Sequence, residues 1–142
     1  MAMTVKLIKM YRGTFENKPG VLAGILEPVV ATGVNLQILM GYKLAEGQAA
    51  IELFPVASKK VAAAAEKARL TPMTMSTLLV QGDDKPGLGL AFAKSLADAG
   101  INMQFLVAQT VGNRFTAVFG FQNEDDARKS AALIRKAAAR RK

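Results

Sequence analysis

The feature that most constrains this chain is a duplication. Asn17-Lys18-Pro19-Gly20 recurs as Asp84-Lys85-Pro86-Gly87, and Gly33-Val34-Asn35-Leu36-Gln37 recurs as Gly100-Ile101-Asn102-Met103-Gln104. Both pairs are 67 residues apart, and Leu39/Leu106, Ala50/Ala117 and Phe54/Phe121 match at the same spacing without a gap. A constant offset over this length marks an internal repeat. The 142 residues therefore read as two copies of one unit, residues 1–69 and residues 70–142. A unit of about 70 residues buries too little surface to be very stable alone. Packing of the copies side by side, in one continuous sheet, is the expected remedy.

Each copy reads as strand, helix, strand, strand, helix. Residues 4–15 are rich in Val, Leu, Ile and Met and predict one strand. Pro19 is expected to open a helix, because a first-turn proline lacks only an N–H that would be unpaired anyway. Val21, Leu22, Ile25, Leu26 and Val29 then form an apolar stripe at helical spacing, which Gly33 closes. Leu88, Phe92, Leu96 and Gly100 repeat that pattern. Two strands follow, joined by Ala45-Glu46-Gly47 in the first copy and by the hairpin signal Gly112-Asn113 in the second. Ser58 and Asn123 are placed to cap the second helices. This order fits an α+β fold, two ferredoxin-like βαββαβ sandwiches with a fourth strand that is short or missing. Residues 70–81 are expected to serve mainly as the first strand of copy two, their first few residues closing copy one with Pro72 at an edge. Phe115, Phe119 and Phe121 need burial. Phe119 aligns with Glu52, so this face of copy two is expected to carry an oligomer contact unless a helix covers it.

Composition removes several chemistries. There is no Cys, His or Trp, so thiolate or imidazole catalysis and a Cys/His zinc site are excluded. No cofactor is expected. The absence of Cys fits a reducing cytoplasm, and the start of the chain lacks the basic-then-apolar pattern of a signal peptide. The most apolar stretch, residues 21–34, contains Glu27, Pro28 and two glycines, and predicts no membrane span and no membrane partner. The net charge of +8 is concentrated at one end: seven basic residues and no acid follow Ala127, leaving +1 for the rest. This basic stretch reads either as a tail that touches nucleic acid, membrane or an acidic partner, or as a solvated C-terminal helix whose cations offset its dipole.

The two loop–helix–strand blocks, Glu16-Asn-Lys-Pro-Gly-Val-Leu-Ala-Gly-Ile-Leu with Gly33-Val-Asn-Leu and Asp83-Asp-Lys-Pro-Gly-Leu with Ala99-Gly-Ile-Asn-Met, resemble the ACT domain. The first is also similar to the serine-binding regulatory domain of phosphoglycerate dehydrogenase. The resemblance spans nearly the whole chain as two tandem modules, with no catalytic domain attached. It implies a non-catalytic regulatory protein that binds a small effector, typically an amino acid, at the interface of paired modules. The residues it implies for the site are Asn17, Gly20, Val21 and Asn35 in the first module, and Asp84, Gly87, Leu88 and Asn102 in the second. The serine-binding branch also uses a His, whose places are taken here by Phe15 and Gly82, so serine specificity does not carry over. A homodimer and a partner enzyme belong to the same expectation.

Physical chemistry supports such a site. Glycine beside a helix start lets a ligand approach free N–H groups that favour a carboxylate. The dipole contributes about 0.3–2 kcal/mol, whereas a dissociation constant of 0.1 mM needs about 5.5 kcal/mol. Side chains must therefore supply most of the binding. Asn17 and Asn35 offer donors and acceptors to both ends of a zwitterion, whereas Asp84 would repel the carboxylate, so the two sites are not equivalent. The alternative for all four is a structural role as helix cap or turn former. Two other functions stand beside sensing. One is a ligand-free assembly module. The other is nucleic-acid binding, which needs exposed aromatics in a basic field, where only Arg114 stands near the three Phe residues. An acylphosphatase-type enzyme would need an Arg-rich anion loop, and Lys18 and Lys85 stand there instead.

Overall fold

The computed structural model describes residues 3–140; Arg141 and Lys142, the end of the basic stretch, lie outside the described residues. Eight strands and four helices follow in the order β1 (Thr4–Ile8), β2 (Tyr11–Glu16), α1 (Val21–Val30), β3 (Ile38–Lys43), β4 (Gln48–Phe54), α2 (Lys59–Lys67), β5 (Thr71–Pro72), β6 (Ser76–Asp83), α3 (Leu88–Asp98), β7 (Phe105–Val111), β8 (Arg114–Phe121) and α4 (Glu124–Arg140). The strands sort into two antiparallel four-stranded sheets, β3-β4-β2-β5 and β1-β6-β8-β7. Both have the strand order of a ferredoxin-like sandwich, and the single continuous sheet expected from the duplication is replaced by these two.

The boundaries differ from a simple cut between copies. One unit is residues 9–73; the other combines the first eight residues with residues 74–142. We call them the inserted unit and the split unit. The expected strand over residues 4–15 breaks at Lys9-Met10, and its first half leaves its own copy to pair with β6, with Val5 opposite Val80 and Leu7 opposite Leu78. The reason is the missing fourth strand. Among the described residues no strand follows α4, so the outer edge of β6 is open to another partner, and β1 fills it. Copy one closes with β5, only two residues long, which pairs Tyr11 with Pro72 and Arg12 with Thr71. The Met73 N–H also donates to the Met10 carbonyl at 2.8 Å, holding the two ends of the inserted unit together.

Local chemistry explains the helices. Ser58 Oγ accepts from the Val61 N–H at 3.2 Å and Asn123 Oδ1 from the Asp126 N–H at 2.8 Å, so both expected caps form. Pro19 does not open α1. It sits in the preceding turn, and Gly20 occupies the N-cap with φ +90°. Gly87 does the same for α3 at φ +85°. At the end of α3, Ile101 N–H bonds to the Leu96 carbonyl and Gly100 N–H to the Ala97 carbonyl, each at 3.0 Å, the Schellman closure that Gly100 makes possible.

Each unit has its own core between one sheet face and its two helices. In the inserted unit Phe15, Ile51, Leu53 and Leu70 meet Val29, Val61 and Ala65. In the split unit Leu78, Val80, Phe115, Ala117, Phe119 and Phe121 meet Leu88, Phe92, Leu96, Ala127, Ala131 and Ile134. The Phe92 ring meets Phe115 edge-on at 5.8 Å and Phe119 at 6.3 Å. The helices therefore cover Phe119, and its side chain carries no oligomer contact.

The reason Phe119 behaves so differently from Glu52 lies in the hairpin. On β3–β4 Lys43 is opposite Ala49, with five residues between them; on β7–β8 Thr110, at the repeat position of Lys43, is opposite Phe115, with four. Relative to the ungapped repeat, β8 is one residue short. A slip of one residue turns every side chain to the opposite face. The structural counterpart of Phe119 is thus Leu53, and that of Glu52 is Val118: Arg12 lies opposite Glu52 in one unit, Leu79 opposite Val118 in the other.

Candidate functional site

In the inserted unit the Lys-Pro-Gly loop borders an open cleft of about 280 Å³. Glu16, Asn17 and Lys18 form its loop side, Val21 and Leu22 the first turn of α1, Gly41, Tyr42 and Lys43 the end of β3, and Phe15, Ala49, Ala50 and Ile51 its floor. The volume is near the lower end of the ~300–1,000 Å³ range of small-molecule sites. Two small residues on neighbouring strands keep the space open, Gly41 and Ala49. The aromatic residue of the floor, Phe15, lies over Gly13, where a Cβ would stand 2.5 Å from its ring. The loop is tied down by the Asn17 N–H, which donates to the Gly47 carbonyl at 2.9 Å. Its side chain remains exposed beside the cleft.

The electrostatics of this cleft are cationic. Lys18 pairs with Glu16 at 3.2 Å, both largely exposed. Lys43, opposite Ala49 on the sheet, has no ion-pair partner among the described residues. Tyr42, next to it, points to the opposite sheet face, where its hydroxyl donates to Glu52 Oε2 and Arg12 Nε donates to the same oxygen at 3.2 Å. Burial and the bond to Glu52 push the Tyr42 phenol above its usual range. The Arg12 guanidinium is held above its own usual value, chiefly through its hydrogen bond with Tyr42. Glu52 is fully buried, and its second oxygen, Oε1, has no partner.

The structure thus gathers Asn17 and Val21 into one cleft, with Gly20 at the adjacent helix cap. Asn35 lies exposed in the loop between α1 and β3 and does not line it. The sequence reading missed Lys43, Gly41 and Ala49. Their signal was present in the contrast between copies, Gly41 and Lys43 against Ala108 and Thr110, but the ungapped alignment paired Ala49 with Thr116 instead of Phe115.

The split unit treats the same place differently. Phe115 stands where the inserted unit has Ala49, and it is buried against Phe92. Asp84 and Asn102 are exposed in their loops, and the Asp84 N–H donates to the Asn113 carbonyl at 2.8 Å. Leu88 is 3% exposed and belongs to the core, because the apolar stripe of α3 turns it toward the sheet. Gly87 borders a larger groove of about 530 Å³, lined by Leu90, Lys94 and Asp98 of α3 and by Ala137 and Arg140 of α4. That groove runs along the helices and includes neither Asp84 nor Asn102.

Three of the five described basic residues of the C-terminal stretch have partners within their own unit. Arg128 and Lys129 pair with Glu124 and Asp125 one turn earlier, and Arg135 donates to the Val5 carbonyl at 2.8 Å. Phe115, Phe119 and Phe121 are buried, so none of them offers the stacking surface that nucleic-acid binding requires. No helix among the described residues is long and apolar enough to cross a membrane.

No family model matches the sequence, and no curated protein does. Solved structures do match. Protein BT0572 from Bacteroides thetaiotaomicron aligns with TM-score 0.74 and 16% identity over 90% of this chain and 88% of that one. The ligand-free regulatory subunit of aspartate kinase from Thermus thermophilus aligns with TM-score 0.64 and 13% identity over 96% and 97% of the two chains. A structure of aspartokinase alpha and beta subunits gives TM-score 0.66 and 15% identity over the same shares. At these identities the likeness is one of fold. The class it defines is a pair of ferredoxin-like α+β units, similar in architecture to a regulatory subunit of aspartate kinase across almost the full length of both chains.

Proposed function

We propose that this chain is a non-catalytic regulatory protein of the tandem ACT type, which binds a small amino-acid effector in the cleft of the inserted unit. The observation that carries the reading is the open cleft beside Asn17 and Val21, at the loop bearing the Lys-Pro-Gly signature. The full-length likeness in fold to an aspartate kinase regulatory subunit supports it, and favours a separate enzyme as the partner. Of the eight residues expected at a site, the reading retains Asn17, Gly20 and Val21. Asn35, Asp84, Gly87 and Asn102 are assigned to turns and caps, and Leu88 to the core.

A thermal-shift screen of the full chain against the twenty amino acids tests this. Ligand at a hundred times its dissociation constant adds about 2.7 kcal/mol, a rise of several degrees for a protein of this size. A flat response to all of them at 10 mM contradicts the reading.

A second reading, assembly without a ligand, is favoured by the outer strand β7. It forms one edge of its sheet and exposes Leu106, Val107 and Val111. Edge strands of this kind pair with further strands. A homodimer joined there accounts for their exposure and is compatible with effector binding. Size-exclusion chromatography with light scattering, on the native chain and on Val107→Lys, checks it: the native chain runs as a dimer and the variant as a monomer.

A further inference from the structure

We propose that the effector is an amino acid with an acidic side chain, of the size of aspartate or glutamate, and that Lys43 selects it. The proposal rests on the effector reading above and adds the class of ligand. Three observations carry it. The cleft presents two ammonium groups, Lys18 and Lys43, against one carboxylate, Glu16. Glu16 is already paired with Lys18, whereas Lys43 has no ion pair among the described residues. The strand geometry places Lys43 directly across from Ala49 and two residues from Gly41, on the same strand face, so its ammonium borders the space that these small residues leave open.

A zwitterion with a second carboxylate matches this set group by group. Glu16 accepts from the ligand ammonium. Asn17 and the free N–H groups at the start of α1 donate to the α-carboxylate. Lys43 donates to the side-chain carboxylate as a charge-assisted bond. The ligand carries one net negative charge and the three charged groups of the cleft one net positive charge. A lysine- or arginine-like ligand would set its cation against Lys43. A serine-like ligand leaves Lys43 unused.

Within the chain, the split unit gives the contrast. There Thr110 stands at the position of Lys43 and Asp84 at that of Asn17, while Asp83, at the position of Glu16, is bonded to Arg114 at 2.9 Å. This loop has gained a carboxylate. The cation of the third strand is lost, while Arg114, where the inserted unit has Gln48, is held by Asp83, and Phe115 fills the space a ligand would need.

The test is isothermal titration of the full chain with L-aspartate, L-glutamate, succinate, L-serine and L-lysine, repeated on Lys43→Gln and on Ala49→Phe. The expected result is binding of aspartate or glutamate with a dissociation constant below about 1 mM, weaker binding of succinate, and no heat from L-lysine. Lys43→Gln should weaken the acidic amino acids at least tenfold while leaving the melting temperature unchanged, since Lys43 is exposed. Ala49→Phe should abolish binding. If L-serine or L-lysine binds more tightly than both acids, and Ala49→Phe removes that binding, the acidic assignment is overturned and the effector reading stands. If acid binding survives Ala49→Phe, the site lies elsewhere and the proposal fails. If none of the twenty amino acids binds, both readings fail together.

Discussion

The two units of this chain carry the same motif and the same spatial order of strands, yet one presents a cleft and the other a filled core. The difference comes from a single residue in a hairpin. Lys43 and Ala49 pair across five residues, whereas their counterparts Thr110 and Phe115 pair across four. Shortening by an even number would have kept the faces. The net slip against the repeat is one residue, which reverses inside and outside along the whole of β8. Because of it Phe115, Phe119 and Phe121 turn into the core and close the space that Gly41 and Ala49 leave open in the inserted unit. On the opposite face, the Arg12–Glu52 pair with Tyr42 is replaced by Leu79, Val118 and Gln109.

The largest effect should come from reversing the plug. Phe115→Ala removes a buried ring that contacts Phe92. It should cost about 3–5 kcal/mol, read from urea unfolding. A loss below 1 kcal/mol would mean that Phe115 does not fill the split unit as described.

Next comes the polar pair. Arg12→Leu leaves the buried Glu52 carboxylate without its cation and should cost about 3 kcal/mol. This is the low end of the range for breaking a buried pair, because Arg12 is partly solvated. The double change Arg12→Leu with Glu52→Val copies the pair found in the split unit, and should restore stability to within about 1 kcal/mol of the native chain or above it. Additive losses in the double variant would show that the two units do not use equivalent positions.

Gly13→Ala should destabilise by about 1–3 kcal/mol through overpacking, since the added carbon would meet the Phe15 ring at 2.5 Å and the Arg69 carbonyl at 2.9 Å. The same variant should disturb the cleft, because the Phe15 ring that lines it must shift. Unchanged stability would break the link between Gly13 and the open floor.

The smallest effect is on alkaline stability. The Tyr42 phenol is raised by burial and by its bond to Glu52. A raised acid binds its proton more firmly in the folded state, so its contribution is complete below the ordinary tyrosine pKa of about 10 and is lost as pH rises through the folded value. An ultraviolet titration should show a phenol ionising above the ordinary tyrosine range, and Tyr42→Phe should remove that step. Persistence of the step in the variant would contradict this.

Much of the fold was legible because its signals are local. The repeat, the caps at Ser58 and Asn123, the Gly100 closure and the Gly112-Asn113 turn each follow from a few adjacent residues. What stayed hidden depends on partners far apart in sequence. The transfer of β1 to the other unit is decided by the unpaired edge of β6, 70 residues away. The break at Lys9-Met10 has no glycine or proline to mark it. The cleft was half legible. Asn17, Gly20 and Val21 come with the motif, but Lys43 and Gly41 join them only through strand pairing, and Ala49 was masked by an alignment that ignored the shortened hairpin.

The most direct measurement is a crystal structure of the full chain soaked with the amino acid that raises its melting temperature most. The account predicts one molecule per chain, in contact with Asn17 and Lys43 and resting over Gly41 and Ala49, with the Phe115 ring in place in the other unit. A ligand found instead beside Asp84, or in the groove between α3 and α4, would contradict it.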